Sequence, residues 1–375
     1  MTPVPTVFFY ISGHGFGHAV RQIAIIGALF ERTAGSVQVA VRTSVPPWLF
    51  ERTLRGPYRV LPGETDTGVV QIDALRLDAE ATVTRARSFY EALPARVDTE
   101  AALLAANGAR LVIGDAPPLA CAAAAAAGLP SIVCANFTWD WIYEAYLGPG
   151  GSPPGLLSTI RDAYSQAAGG WRLPMHGGFE TVPSTIDVPL VARHARRDRS
   201  RCEVRRMLGL PPDRPLALAT FGGYGAGNLP LDRLDCVPEW NIVLTTAERR
   251  PPLHVPGVLV VPEELLYASG LQYQDLVAAV DVAVTKPGYG IISDCAANDT
   301  AVLYTSRGRF PEYEVIVSAL PRLVRSRFID QEDLLQGRWR EGLGALHDSA
   351  PVPAAPRTDG AEVVAAMIAE AAAAT

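Results

Sequence analysis

Apolar residues in this chain come mostly in short runs rather than in strict alternation. "VFFYIS" (7–12) opens the series, followed by "VQVAVR" (37–42), "LVIGD" (111–115) and "SIVCAN" (131–136). Continuous runs of this length predict strands buried on both faces of a parallel sheet. Between them the pattern turns helical, over about Gly17 to Ala34 and again in "PPLACAAAAAAG", whose alanines suit a helix lying close on a sheet. Residues 150–190 are rich in Gly, Pro and Ser and break the pattern, which puts a domain boundary near 170–195. A second series follows: "PLALATFGG" (215–223), "NIVLTT" (241–246), "GVLVVP" (257–262), residues 282–285 and "AVLYTS" (301–306). The tail "AEVVAAMIAEAAAA" (361–374) is a good helix former. Strand and helix in alternation, twice over, predict an α/β protein of two doubly wound domains facing each other. The expected divisions are 1–180, 181–355 and a C-terminal helix at 356–375 that packs back on the first domain.

Composition narrows the class. The 375 residues are 49% hydrophobic and 19% charged, with a formal net charge of -6, enough apolar material for two cores. No basic block is present, which argues against a nucleic-acid partner. Five scattered cysteines without CxxC spacing give neither a disulfide framework nor a zinc site. The N-terminal "MTPVPTVFFYISGHG" lacks the basic start of a signal peptide, and no stretch approaches the ~20 apolar residues of a spanning helix. A cytoplasmic protein is expected.

Two glycine-rich turns carry candidate chemistry. The first, "ISGHGFGHAVRQIAI", lies where a strand hands over to a helix, the edge at which open α/β sheets bind ligands. Its G-x-G-x-G spacing is not the dinucleotide fingerprint, and no P-loop occurs anywhere. His14 and His18 lie in it. An imidazole here can take a proton from a hydroxyl near neutral pH, or it can simply cap the helix. Asp115, closing "LVIGD", is the carboxylate that adjacent strand ends would bring to it. Its other reading is a helix N-cap.

The second turn, "TKPGYGIISD" (285–294), holds the only lysine of the chain, Lys286. The amides of Gly288, Tyr289 and Gly290 would open a helix, and free amides with the helix dipole favour a phosphate. Ser293 and Asp294 lie one turn on, where a carboxylate can accept from a ribose diol. "TFGGYGAGN" (220–228), with Gly223, Tyr224 and Gly225, fits as the opposite wall. In "NFTWDWIY", Asn136 ends a strand and Trp139 and Asp140 follow. The aromatics are either packing residues or a platform for an acceptor sugar.

Taken in order, "ISGHGFGHAVR", "ANFTWDWIYEAY", "TFGGYGAGN" and "KPGYGIISD…RGRFPEYE" resemble the glycosyltransferase-like N-terminal half of plant-type L-arabinokinases. More distantly they resemble inverting GT-B glycosyltransferases of the MurG and family 1 kinds. The likeness runs over nearly the whole chain, without the arabinokinases' kinase half. It implies two Rossmann-like domains across a cleft, with the nucleotide-sugar donor on the C-terminal domain and the acceptor on the N-terminal one. It places the catalytic base on His18, oriented by Asp115. The family's ribose-binding Glu falls on Asp294, one methylene shorter, and its Thr three residues earlier is Ile291. Arg307 and Glu312 would touch donor-sugar hydroxyls. His14, Phe16, Arg21, Asn136, Trp139 and Asp140 would face the acceptor.

The resemblance thus implies an inverting transfer from a UDP- or dTDP-sugar to a small-molecule hydroxyl, such as that of a secondary metabolite. Neither a metal nor a cofactor is expected, the nucleotide-sugar being a co-substrate. Two other readings stay open. Gly15, Gly17, His18 and Arg21 also match the turn of nucleotide-sugar hydrolases of similar fold, and the Asp294 and Ile291 departures leave room for a non-catalytic nucleotide-sugar-binding protein.

Overall fold

The structure is a computed structural model that describes residues 4–147, 155–222, 229, 237–246 and 255–374. Two parallel sheets dominate it. The first has seven strands in the order β3-β2-β1-β4-β5-β6-β7: β1 (Thr6–Ile11), β2 (Gln38–Thr43), β3 (Tyr58–Pro62), β4 (Ala109–Asp115), β5 (Ser131–Phe137), β6 (Gly169–Gly177) and β7 (Thr185–Asp187). The second has six in the order β10-β9-β8-β11-β12-β13: β8 (Leu216–Thr220), β9 (Asn241–Thr246), β10 (Val258–Pro262), β11 (Val282–Thr285), β12 (Ala301–Tyr304) and β13 (Ser326–Phe328). Both orders reverse beside the first strand of their sheet, and those switch points are where doubly wound sheets open a crevice.

Each predicted strand is present, and the central ones are buried throughout: all six residues of β1 and all four of β11. Sequence pattern missed β3, β6, β7 and β13. β3 is half-exposed at a sheet edge. β7 and β13 have three residues each. β6 lies inside the Gly- and Pro-rich stretch, where Gly and Pro argue against a strand. Met175 there has φ 61, and the β5–β6 register shifts between Ala135 and Phe137. The first sheet therefore continues past residue 180.

The helix Gly360–Ala374 leaves the second half and lies on the first. Val364, Ala365 and Ile368 are fully buried in one cluster with Val7, Phe9, Ile25 and Leu29. The two halves also share core residues. Met175 and Leu190 pack in the cluster built by β8, β11 and their helices. Ala74 and Leu75, from the loop after β3, pack against the other face of the second sheet.

Candidate active site in the cleft

Strand register assembles the first cluster. Ile11 of β1 pairs with Asp115 of β4, so the end of β4 is level with the turn that follows β1. That turn runs into the helix Phe16–Thr33, with His18 in its first turn. His18 Nδ1 lies 2.9 Å from Asp115 Oδ2, and both side chains are buried. Arg21, one turn on, donates to Asp115 Oδ1 and to Asn136 Oδ1 at the end of β5. Burial opposes ionisation of Asp115, but Arg21 and His18 outweigh it and hold its carboxyl below the usual range. An ionised carboxylate at this distance makes Nδ1–H the donor and leaves the lone pair on Nε2, the arrangement of an oriented base. Arg21 NH2 is also 2.9 Å from Nδ1. Its bond to Asp115 is the one it can make while Nδ1 carries the proton.

Ala116, next to Asp115, has φ 68, a conformation L-residues other than Gly seldom adopt. The Tyr164 hydroxyl donates to its carbonyl and fixes the bend.

His14 is a different kind of histidine. Its Nδ1 accepts from the Val69 amide at 3.2 Å, and its Nε2 lies 3.1 Å from Gln71 Nε2. Burial, then His18, pushes its pKa down to about 3, so the ring is neutral. With Nδ1 accepting, Nε2 carries the proton. Turning the Gln71 amide over would let its otherwise unpartnered Oε1 accept that proton.

Asp66, which the sequence reading did not single out, sits fully buried beside this cluster. It accepts from Ser12 Oγ at 2.9 Å and from Trp139 Nε1 at 2.8 Å, and burial lifts its pKa to about 6. Trp139 is wholly buried and stacked on Tyr143 at 5.2 Å, so its faces are used inside the protein. The expected acceptor platform is thus a packing residue at Trp139. Asp140 is also buried and pairs with Arg161 at 3.2 Å. Phe16 stays 39% exposed at the cleft rim, edge-on to Trp48.

The facing wall comes from β11 and the helix Tyr289–Ala297. Gly288 caps that helix without a side-chain bond, so its first amides have no intrahelical acceptor. Lys286 precedes it, half-buried. Burial, then Arg307, pushes its pKa down to about 7, against Asp73 and Glu312. Gly17, Arg21 and Asn136 from the first half, with Tyr289, Gly290 and Ser293 from the second, line one small pocket between the halves. Arg307 stacks on Phe310 at 3.8 Å and donates to Glu312 Oε1 at 3.3 Å. Gly223, Tyr224 and Gly225 lie outside the described residues. Among the described residues no group of three His, Cys, Asp or Glu side chains is placed to hold a metal, and no helix is long and apolar enough to cross a membrane.

Asp294 has a partner that sequence reading did not supply. Its Oδ1 accepts from the Arg193 amide at 3.0 Å and its Oδ2 from the Arg193 guanidinium, Nε lying 3.1 Å away. Asn298 adds bonds to Arg193 O and the Ala195 amide. The segment joining the halves is therefore stitched to the helix that heads the facing wall.

No protein-family model matches the chain. Its backbone does match solved structures. The glycotransferase of kitacinnamycin superposes with a TM-score of 0.64, covering 98% of this chain and 100% of that one at 16% identity. This is the GT-B fold. UGT2 of Phytolacca americana, solved with UDP-2-fluoroglucose and pterostilbene, shares the GT-B fold at a TM-score of 0.60 and 12% identity, over 98% of this chain and 94% of that one. The calicheamicin glycosyltransferase CalG4 does so at 0.59 and 13%, over 98% and 95%. In sequence the chain is 30% identical to an L-arabinokinase of Arabidopsis thaliana over 334 residues, 88% of its own length but 31% of that protein.

Proposed function

We propose that this protein is an inverting, metal-independent glycosyltransferase that moves a sugar from a nucleoside-diphosphate sugar, UDP- or dTDP-linked, to a hydroxyl of a small-molecule acceptor such as a secondary metabolite, in the cytoplasm. One observation carries the reading. The carboxylate-oriented His18 sits between Gly17 and Arg21, which line a pocket whose other wall is Tyr289, Gly290 and Ser293 of the helix that follows Lys286 and starts without a side-chain cap. The UDP-sugar bound by the Phytolacca americana relative of the fold supports it.

His18 Nε2 takes the proton of the acceptor hydroxyl. The resulting oxygen attacks the anomeric carbon from the face opposite the nucleotide, and the bond to the diphosphate oxygen breaks. The electron pair leaves with the diphosphate, whose growing charge falls on the amides of the Tyr289 helix and on Lys286. Asp115 stabilises the imidazolium formed in the step. Asp294 meets the ribose diol when the Arg193 guanidinium gives way, the Arg193 amide bond remaining.

The test is isothermal titration with UDP, dTDP, GDP and ADP of the wild type, Asp294→Ala and His18→Ala, followed by transfer assays. One nucleotide binds the wild type, Asp294→Ala weakens it about tenfold or more, and His18→Ala binds it normally while transfer falls roughly 10²–10⁴-fold. Binding of none of the four sinks the proposal. If Asp294→Ala lowers only the melting temperature, the carboxylate is a linker staple and the ribose contact lies elsewhere.

A further inference from the structure

Asp66 is a buried carboxylate on the loop after β3, one ring layer from the base. Its Oδ2 accepts from Trp139 Nε1 at 2.8 Å. Trp139 packs edge-on against Phe137 with ring centroids 5.1 Å apart, and Phe137 meets the His18 ring edge-on at 5.5 Å. Its Oδ1 accepts from Ser12 Oγ at 2.9 Å, and that oxygen in turn accepts from the His14 amide at 3.2 Å. Ser12 follows Ile11, the residue in register with Asp115. Asp66 is therefore bonded to the turn that carries His18 and to the ring that backs it.

Both donors to Asp66 are neutral, so neither offsets its charge. The other titratable groups around it do not either. His14 is neutral, and the phenols of Tyr90, Tyr143 and Tyr164 are held protonated, by burial first of all. Asp115 repels it, and the charge that most favours its ionised form is that of His18. The charge balance of the site shows what such an anion does there. Asp115 is bonded to His18 and to Arg21 alike. Before transfer, the guanidinium and that carboxylate cancel. Once Nε2 has taken the acceptor's proton, one carboxylate faces two cations, with Arg21 NH2 2.9 Å from His18 Nδ1. Like charges that close oppose the imidazolium. A second buried anion restores neutrality, and weak screening in the interior lets it act across a ring layer.

We propose that Asp66 is the second counter-ion of the His18 imidazolium, a positioning residue that strengthens the base through its charge and touches no substrate. Asp115 fixes the tautomer by a direct bond. Asp66 compensates the charge that Arg21 leaves in excess. The step it serves rests on the glycosyltransferase reading, but the charge link itself is measurable without donor or acceptor.

The experiment follows the ring nitrogens of ¹⁵N-histidine-labelled protein by NMR across the acid-to-neutral range. Wild type is compared with Asp66→Asn, and His18→Gln identifies the His18 signals. Asparagine keeps the shape and both bonds, its oxygen accepting from Trp139 and its amide donating to Ser12. In Asp66→Asn, His18 holds its proton about 3- to 10-fold more weakly, the effect of one anion removed at this range, so its titration midpoint moves to lower pH. The melting temperature stays the same or rises, because a buried charge is gone. The coupling is reciprocal. In His18→Gln the ¹³C-labelled Asp66 carboxyl titrates at higher pH than in the wild type, which tests the same link should Asp66→Asn fail to fold. An unchanged His18 midpoint in a folded Asp66→Asn overturns the inference and leaves Asp66 a bonding hub. So does an Asp66 titration indifferent to His18→Gln. Binding of no nucleotide is a separate failure, of the transferase reading, and leaves both titrations to be read.

Discussion

Single residues in the cleft owe their chemistry to what surrounds them. Lys286 is the sharpest case, because burial and Arg307 bring its pKa down to about 7. A bound diphosphate restores the charged form and raises that pKa. Below pH 7 the lysine is charged with or without ligand, so its contribution to affinity is flat. Above pH 7 binding must first take up a proton, and affinity falls as pH rises. Nucleotide titrations from pH 6 to 9 check this, with Lys286→Arg, which stays charged, removing the dependence on this group. A fall on the acid side instead would assign the effect to another residue. His14 and His18 show the limit of reading at this scale. Both are visible as histidines in a glycine turn, but which one is an oriented base depends on Asp115 for one and on Val69 and Gln71 for the other. Asp66 and Arg193 are invisible for the same reason: nothing near them in the chain announces Trp139 or Asp294 as a partner.

Elements are far more legible. A buried parallel strand needs a continuous apolar run, and β1, β4, β5, β8, β9, β11 and β12 all show one. β6 fails the test because its Gly169 and Gly170 leave room for Ser184, Val182 and Thr185 of the segment that packs against it, so the residues that make it a strand are those that disguise it. Close approach also decides how the Gly360 helix begins. A Cβ at Gly360 would lie 2.3 Å from Pro189 O and 2.7 Å from Leu190 O, backbone atoms that cannot swing away. The Gly360 amide bonds Leu190 O at 3.0 Å, and Val191 bridges Asp359. Gly360→Ala therefore lifts the helix off its seat, and we expect a loss of about 1–3 kcal/mol in denaturant unfolding. An unchanged midpoint would mean that the helix start can shift without cost.

For the whole molecule, the composition and the doubled strand–helix pattern point to two domains, and two sheets are present. What they do not convey is how far the halves share a core. Leu190, in the connecting segment, is buried in the cluster of the second sheet and bonded to the start of the C-terminal helix on the first. Leu190→Ala should cost about 2–5 kcal/mol and, in calorimetry, lower one transition that includes both halves. Two separated transitions in the wild type would show that the halves unfold independently.

The seat of the Gly360–Ala374 helix also bears on how the protein is made. Phe9, Ile25 and Leu29 need Val364 and Ile368 to cover them, yet those residues are translated only after the entire second sheet. At about 5–20 residues per second the first sheet waits several to tens of seconds on the ribosome with part of its apolar face uncovered. The nascent chain therefore presents a binding surface to chaperones throughout that interval, and its final packing follows translation of residue 374.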